Sequence, residues 1–382
     1  METIRFGIIG LGLMGREFAG ATARWCHLPE MDCRPEIVAI CDRDLSSRTA
    51  GWFTGNFPSI KQVTDDYRAL AANPDVDAVY CAVPHHLHEA FYCAVIEGGK
   101  HLMGEKPFGI DKKANDSICR SISEHPGRLV RCSSEFPFYP AVQRIGDMIV
   151  GNAFGKIIEV ESGFLHSSDL DPGKPINWKR IINYNGEYGC MGDLGMHSFH
   201  VPFRAGWQPV NVRALLSNII TERPDGKGSV VPCETWDNAT LLCETVDTKS
   251  GDVFPMTIKT QRIAPGEKDT WYISVLGTKV SARFSTKNPK LLQVLEYTGG
   301  EQTWHSIDMG HESAFKTITG GIFEFGFSDA VLQMWAAFIY ELKHGTPLKQ
   351  FAGCVTPEET ALSHRLCTAA LESHKNRSVA EV

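Results

Sequence analysis

Hydrophobic positions up to Cys132 fall in short β-rich runs, at Ile4–Ile9, Ile37–Cys41, Ala78–Val83, Lys100–Met103 and Leu129–Cys132. Helical stretches lie between them, at Gly12–Arg24, Thr64–Ala72, Leu87–Gly98 and Lys112–Ser123. Strands separated by helices predict βαβ units and a parallel sheet covered on both faces. Right-handed crossovers make that sheet doubly wound, as in a Rossmann domain. After Pro140 the rhythm changes. Gly155–Leu165 predicts a long strand, and a Gly/Asn/Pro-rich loop follows over Asp169–Gly189. The runs at Val210–Ser217, Trp236–Glu244, Phe254–Gln261, Trp271–Leu276, Lys279–Phe284 and Leu291–Tyr297 have no helices between them, so mostly antiparallel pairing is expected. Helices are expected near Ser328–Lys343 and Pro357–Ser373. The fold class is therefore α/β: a Rossmann domain over residues 1–133, then an α+β domain over 134–382 with a large open sheet. Such a sheet with an apolar face is also an expected oligomer surface, in a homodimer or homotetramer.

Composition narrows the setting. The chain is 43% hydrophobic and 22% charged with a formal net charge of −7, which argues against a nucleic-acid partner. No run approaches the ~20 apolar residues of a membrane span. The first residues enter a strand pattern without a signal-peptide layout. None of the twelve cysteines forms a C-x-x-C pair, so reduced thiols and a cytoplasmic location are expected.

The first strand runs into Gly10-Leu11-Gly12-Leu13-Met14-Gly15, a G-x-G-x-x-G between a strand and a helix. There Gly10 allows the tight turn, Gly12 lets the backbone approach a pyrophosphate, and Gly15 permits close helix–strand packing. The helix start, with Leu13 and Met14, offers N–H groups and a positive dipole end to phosphate. Asp42, at the end of the second strand, stands where such folds bind the adenosine ribose hydroxyls. A carboxylate there repels a 2′-phosphate, so NAD is the expected cofactor. Arg43 keeps NADP open, because a guanidinium can receive that phosphate or stack on adenine.

Three further segments carry a family resemblance: Ala82-Val83-Pro84-His85-His86-Leu87-His88, Gly99-Lys100-His101-Leu102-Met103-Gly104-Glu105-Lys106-Pro107, and Gly189-Cys190-Met191-Gly192-Asp193-Leu194-Gly195-Met196-His197. In this order the chain resembles the Gfo/Idh/MocA (glucose–fructose oxidoreductase / inositol dehydrogenase / MocA) family over essentially its whole length. The resemblance implies a sugar or cyclitol dehydrogenase or reductase. A minority of such proteins use NAD to cleave glycosidic bonds. It also implies that Lys106 contacts nicotinamide and substrate, that Asp193 and His197 are the acid and the catalytic histidine, and that Pro84, His85 and His88 line the nicotinamide ribose. Two departures fall where substrate is contacted. His200 replaces a frequent aspartate, and Ser133-Ser134-Glu135-Phe136 stands where an arginine is common.

Oxidising an alcohol requires a group to take the hydroxyl proton, and His197 is the natural one. On a helix over Gly192–Arg204, Asp193, His197, His200 and Arg204 recur at i, i+4, i+7 and i+11 and form one polar stripe. Asp193 is then placed to orient the imidazole, and Pro202 limits the helix's regularity. An ammonium at Lys106 stabilises developing alkoxide charge, with Glu105 pairing with it or orienting it. In the central loop, Trp178 is placed to stack on a sugar ring. Lys179 and Arg180 offer charge to an acidic group, so the expected partner is a carbohydrate-like small molecule that is neutral or anionic. The bland alternative is a basic loop with a packed tryptophan. The histidines lack a cysteine or carboxylate set with ligand spacing, and no metal is expected. Three activities fit these residues: hydride transfer at a secondary hydroxyl, NAD-dependent glycoside cleavage without net redox change, and dinucleotide-dependent regulation without catalysis.

Overall fold

Phe6 to Ile9 are buried without a break in β1 (Glu2–Ile9), which is how a strand covered on both faces reads. In the computed structural model, which describes residues 1–310 and 312–382, β1 is central in a six-stranded, all-parallel sheet. The other members are β2 (Cys33–Cys41), β3 (Gln62–Thr64), β4 (Ala78–Cys81), β5 (His101–Gly104) and β6 (Val130–Cys132), in the order β3-β2-β1-β4-β5-β6. The helices α1 (Leu13–Ala23), α2 (Arg48–Asn56), α3 (Tyr67–Ala71), α4 (His88–Glu97) and α5 (Lys112–Glu124) connect the strands. The order reverses at β1, and that switch point places the loops after β1 and β4 side by side at the carboxyl edge, where doubly wound folds bind ligands.

The second sheet has nine strands: β7 (Ile157–His166), β8 (Trp207–Ser217), β11 (Asn238–Asp247), β12 (Val253–Gln261), β13 (Lys268–Gly277), β14 (Val280–Ser285), β15 (Leu291–Glu296), β16 (His305–Asp308) and β17 (Ala380–Glu381). A separate short hairpin comprises β9 (Glu222–Pro224) and β10 (Val230–Pro232). All pairs in the large sheet are antiparallel except β7 with β12. Three helices lie between β6 and β8: α6 (Pro140–Val150), the short α7 (Ile182–Asn185) and α8 (Cys190–Ala205). Alternation along β11 separates the sheet's two faces. Ala239, Leu241 and Cys243 are buried, while Leu242 and Glu244 are exposed, and exposed Leu215 pairs with Thr240 on that same outer face.

The chain forms two compact units, each discontinuous in sequence. Met1–Phe138 and Glu312–Thr360 form the first, which includes α9 (Phe327–His344); Tyr139–His311 and Ala361–Val382 form the second. The remaining helix, α10 (Pro357–Asn376), continues into the second unit. No described helix is long and apolar enough to cross a membrane.

α8 runs through Pro202 without breaking, and the local chemistry explains why. Proline removes the N–H that the Ser198 carbonyl would receive four residues back. That carbonyl instead accepts the Ser162 hydroxyl from β7 at 2.8 Å. One residue earlier, the His197 carbonyl accepts the Trp271 indole N–H from β13, also at 2.8 Å. Two side chains of the sheet thus hold the helix turn that carries His197.

Candidate active site

The glycine loop of the first unit is shaped by close backbone approaches. Gly10 has φ +93°, and a Cβ there would lie 2.4 Å from the Ala82 carbonyl oxygen. A Cβ on Gly15 would lie 2.4 Å from the Gly10 carbonyl oxygen. Around Gly12 the flank is open, with no heavy atom within 4 Å of a built Cβ. α1 starts at the exposed Leu13 with neither a side-chain cap nor an acid in its first turn. A backbone-only surface at a helix N-terminus fits a pyrophosphate. Asp42 sits beside it: Leu11 N–H donates to its Oδ2 at 2.9 Å, and Asp44 N–H to its Oδ1 at 3.3 Å. The carboxylate therefore holds the glycine loop in place. Arg43 is exposed.

Pro84 leads into a short turn containing His85, which is buried, and His88 opens α4. His88 is fully buried. Its Nδ1 accepts Gly109 N–H at 3.2 Å, which leaves the proton on Nε2, 3.0 Å from the Val83 carbonyl. The ring also stacks on Tyr92 at 4.7 Å. His88 thus ties the loop after β4 to the loop after β5. The β5 loop carries Glu105 and the half-buried Lys106, which is joined to Pro107 by a cis peptide. The buried Glu105 carboxylate accepts the Tyr80 hydroxyl at 2.6 Å, and its carbonyl accepts the Tyr92 hydroxyl at 2.9 Å. Burial, reinforced by the charge of Glu105, raises the Tyr80 pKa well above its ordinary value, so Tyr80 remains a donor.

In the second unit, Asp193 and His197 lie one turn apart on α8, 1% and 6% exposed, within a helix buried almost throughout. Asp193 is held by two cations. The Lys179 ammonium lies 3.1 and 3.2 Å from its two oxygens, and the Arg262 guanidinium pairs with it from just beyond β12. Arg262 also faces Asp169 at 3.9 Å, and Lys174 reaches the same Asp169 at 2.9 Å. This buried network pins the central loop to the sheet. His197 packs edge-on against Phe164 at 5.3 Å. Phe164 in turn meets His166 at 4.6 Å.

Two residues expected at the substrate, Arg180 and His200, are buried. Arg180 is fully buried, paired with the equally buried Asp237, and 3.3 Å from both Asn218 Oδ1 and the Ile220 carbonyl. Its guanidinium is buried in that pair; the neighbouring Lys179 ammonium, itself paired with Asp193, lies 5.7 Å from the centre of the Trp178 ring. His200 is 1% exposed, and burial, then the nearby Arg204 charge, depress its pKa well below 6.5. It is a neutral ring in the helix interior. Sequence reasoning missed Arg262 and His166. Each sits at the end of a strand, with no motif around it to mark it.

A family model described as "Oxidoreductase family, NAD-binding Rossmann fold" matches residues 4–130, the span that holds the glycine loop, Asp42 and Lys106. Those residues are the NAD-binding domain of a Gfo/Idh/MocA oxidoreductase. The matched domain is of the NAD-binding kind, and NAD is its cofactor. It is similar to levoglucosan dehydrogenase of Pseudarthrobacter phenanthrenivorans, 24% identical over 311 residues, spanning 77% of this chain and 76% of that one. Glycosyl hydrolase family 109 protein 1 of Bacteroides thetaiotaomicron is 28% identical over 207 residues, 51% of this chain and 40% of that one. In structure, a levoglucosan dehydrogenase in complex with NADH and L-sorbose shares the fold, with TM-score 0.86, 21% identity and coverage of 100% and 99%.

The cofactor site yields a prediction. Asp42→Asn keeps an acceptor for Leu11 N–H but removes the charge that disfavours a 2′-phosphate. The expected result is an NAD-over-NADP binding ratio that falls by about tenfold, or ~1.4 kcal/mol. Titrating both cofactors into the two proteins measures it. Tighter NADP binding by the intact chain would reject the role given to Asp42.

Proposed function

We propose that this enzyme moves hydride between NAD and a secondary hydroxyl or ketone of a sugar, cyclitol or glycoside. The observation that carries the reading is the setting of His197. It is an imidazole in a helix turn fixed by Trp271 and Ser162, one turn after a carboxylate that two cations hold. Nicotinamide, when bound, supplies the hydride acceptor or donor. His197 takes the hydroxyl proton on Nε2, since Nδ1 is the ring nitrogen buried in the second unit. Lys106 stabilises the developing alkoxide by its charge. Asp193, one helical turn before His197, bears on the imidazole through its charge, while Lys179 and Arg262 fix its place. Relatives named for levoglucosan support a carbohydrate substrate.

The test is NADH formation with a panel of polyols, cyclitols and sugars, monitored together with aglycone release from aryl glycosides. Net NADH with at least one member is expected. Similarity to a glycosyl hydrolase family 109 protein supports the second reading, redox-neutral cleavage. Aglycone release with no net NADH would replace the first reading by the second.

A further inference from the structure

A cavity of about 310 Å³ in the second unit lies beside the His197 wall, and no step above uses it. Ser167, Leu170, Lys268, Asp269, Thr270 and Thr286 line it. The volume is near the lower bound of ligand pockets, roughly 300 Å³, and suits one small ring. Its lining suits a polyol: hydroxyls, one carboxylate and two ammonium groups, Lys268 and Lys287, the second already paired with Glu267 at 2.6 Å, around a single leucine face. A phosphate would meet the Asp269 carboxylate, and an apolar ligand would bury these polar groups without partners.

Asp269 connects the cavity to the site. It is the extra residue of a β-bulge, where β13 pairs Lys268 with His166 and Thr270 with Leu165, skipping Asp269. Its φ is +68°, a backbone conformation that costs a non-glycine residue energy and that is found at functional sites. Bulges re-aim a side chain, and here the carboxylate lies 3.4 Å from His166 Nε2. From Asp269 a continuous wall then runs through His166 and Phe164 to His197, with ring separations of 4.6 and 5.3 Å.

We propose that this cavity is a second sugar subsite, so that the preferred substrate is a glycoside whose oxidised ring meets His197 while its neighbouring ring lies beyond His166, against Asp269. The inference rests on the oxidoreductase reading of His197 for the reacting ring only. The experiment loads the full chain with NAD and compares glucose and galactose with cellobiose, maltose and lactose. Equilibrium binding and NADH formation are measured separately, in the intact chain, in Leu170→Trp, which fills the cavity, and in Asp269→Asn, which tolerates the same backbone. At least one disaccharide is expected to bind about tenfold or more tightly than its component monosaccharides, with the kinetic advantage in KM. Both substitutions should remove that advantage. No disaccharide advantage, or one that survives both substitutions, overturns the subsite. A disaccharide that binds through the cavity without NADH formation supports the subsite and rejects the hydride transfer assigned to His197. Oxidation of monosaccharides and disaccharides with equal KM does the reverse.

Discussion

Replacing His197 with alanine is expected to lower turnover by roughly 10²–10⁴, the usual worth of a positioned general base. NAD affinity should stay within about twofold, because the glycine loop and Asp42 belong to the other unit and are untouched. The fold should survive, because the group that anchors the helix turn is the His197 backbone carbonyl, which alanine retains for the Trp271 indole. Single-turnover hydride transfer across pH is the measurement. The intact chain should show an acid limb that the variant lacks, since below its pKa the imidazole already carries the proton it must accept. His200 cannot take over: it is buried, with its pKa depressed well below the ordinary range. An unchanged pH profile in His197→Ala would assign the proton to another group. Lys106→Ala should also slow turnover, and the double variant should lose less than the product of the two single losses, since groups acting as a unit are not additive.

Arg180→Met is expected to act on stability. The Arg180–Asp237 pair is fully buried, and Asp237 Oδ2 also receives the backbone N–H groups of Ile219 and Ile220 at 2.5 and 3.0 Å. Removing the guanidinium leaves a buried carboxylate without its counter-charge, which typically costs about 3–5 kcal/mol. Adding Asp237→Asn should recover part of the loss, because the amide oxygen still accepts those N–H groups while the unpaired charge is gone. Urea unfolding followed by fluorescence and by activity separates the two units, whose transitions need not coincide. A variant that unfolds like the intact chain but has lost affinity for sugar would return Arg180 to the substrate site.

The contrast between Arg180 and His197 shows what was legible in the sequence. The strand–helix alternation, the glycine loop and the large second sheet were readable, because periodicity and local turn chemistry determine them. Short edge elements such as β3, β9 and β16 were not, having too few residues for a period to emerge. The i, i+4 spacing of Asp193 and His197 placed them on one helix, but it could not say that Lys179 and Arg262 would hold the acid. Arg262 lies far from Asp193 in sequence, and only the pairing of β7 with β12 brings the strand end that bears it toward α8. The same limit applied to Arg180, since a basic loop reads alike whether its cation faces solvent or Asp237.

The first unit contains a further consequence, for its birth on the ribosome. Phe6 and Phe18 are made long before Trp335 on α9, which completes their ring cluster, 5.9 Å from Phe6 and 3.8 Å from Phe18, and also meets Tyr80 at 4.8 Å. At the usual pace of about 5–20 residues per second, the aromatic face of the nascent sheet waits roughly 15 to 65 seconds for its cover. During that wait eight of the nine strands of the second sheet are translated, all but β17. The nascent chain therefore carries an unfinished dinucleotide domain through most of its synthesis. Its early aromatic residues are a natural landing place for chaperones that recognise exposed rings, and the cofactor domain closes only after α9 has left the exit tunnel.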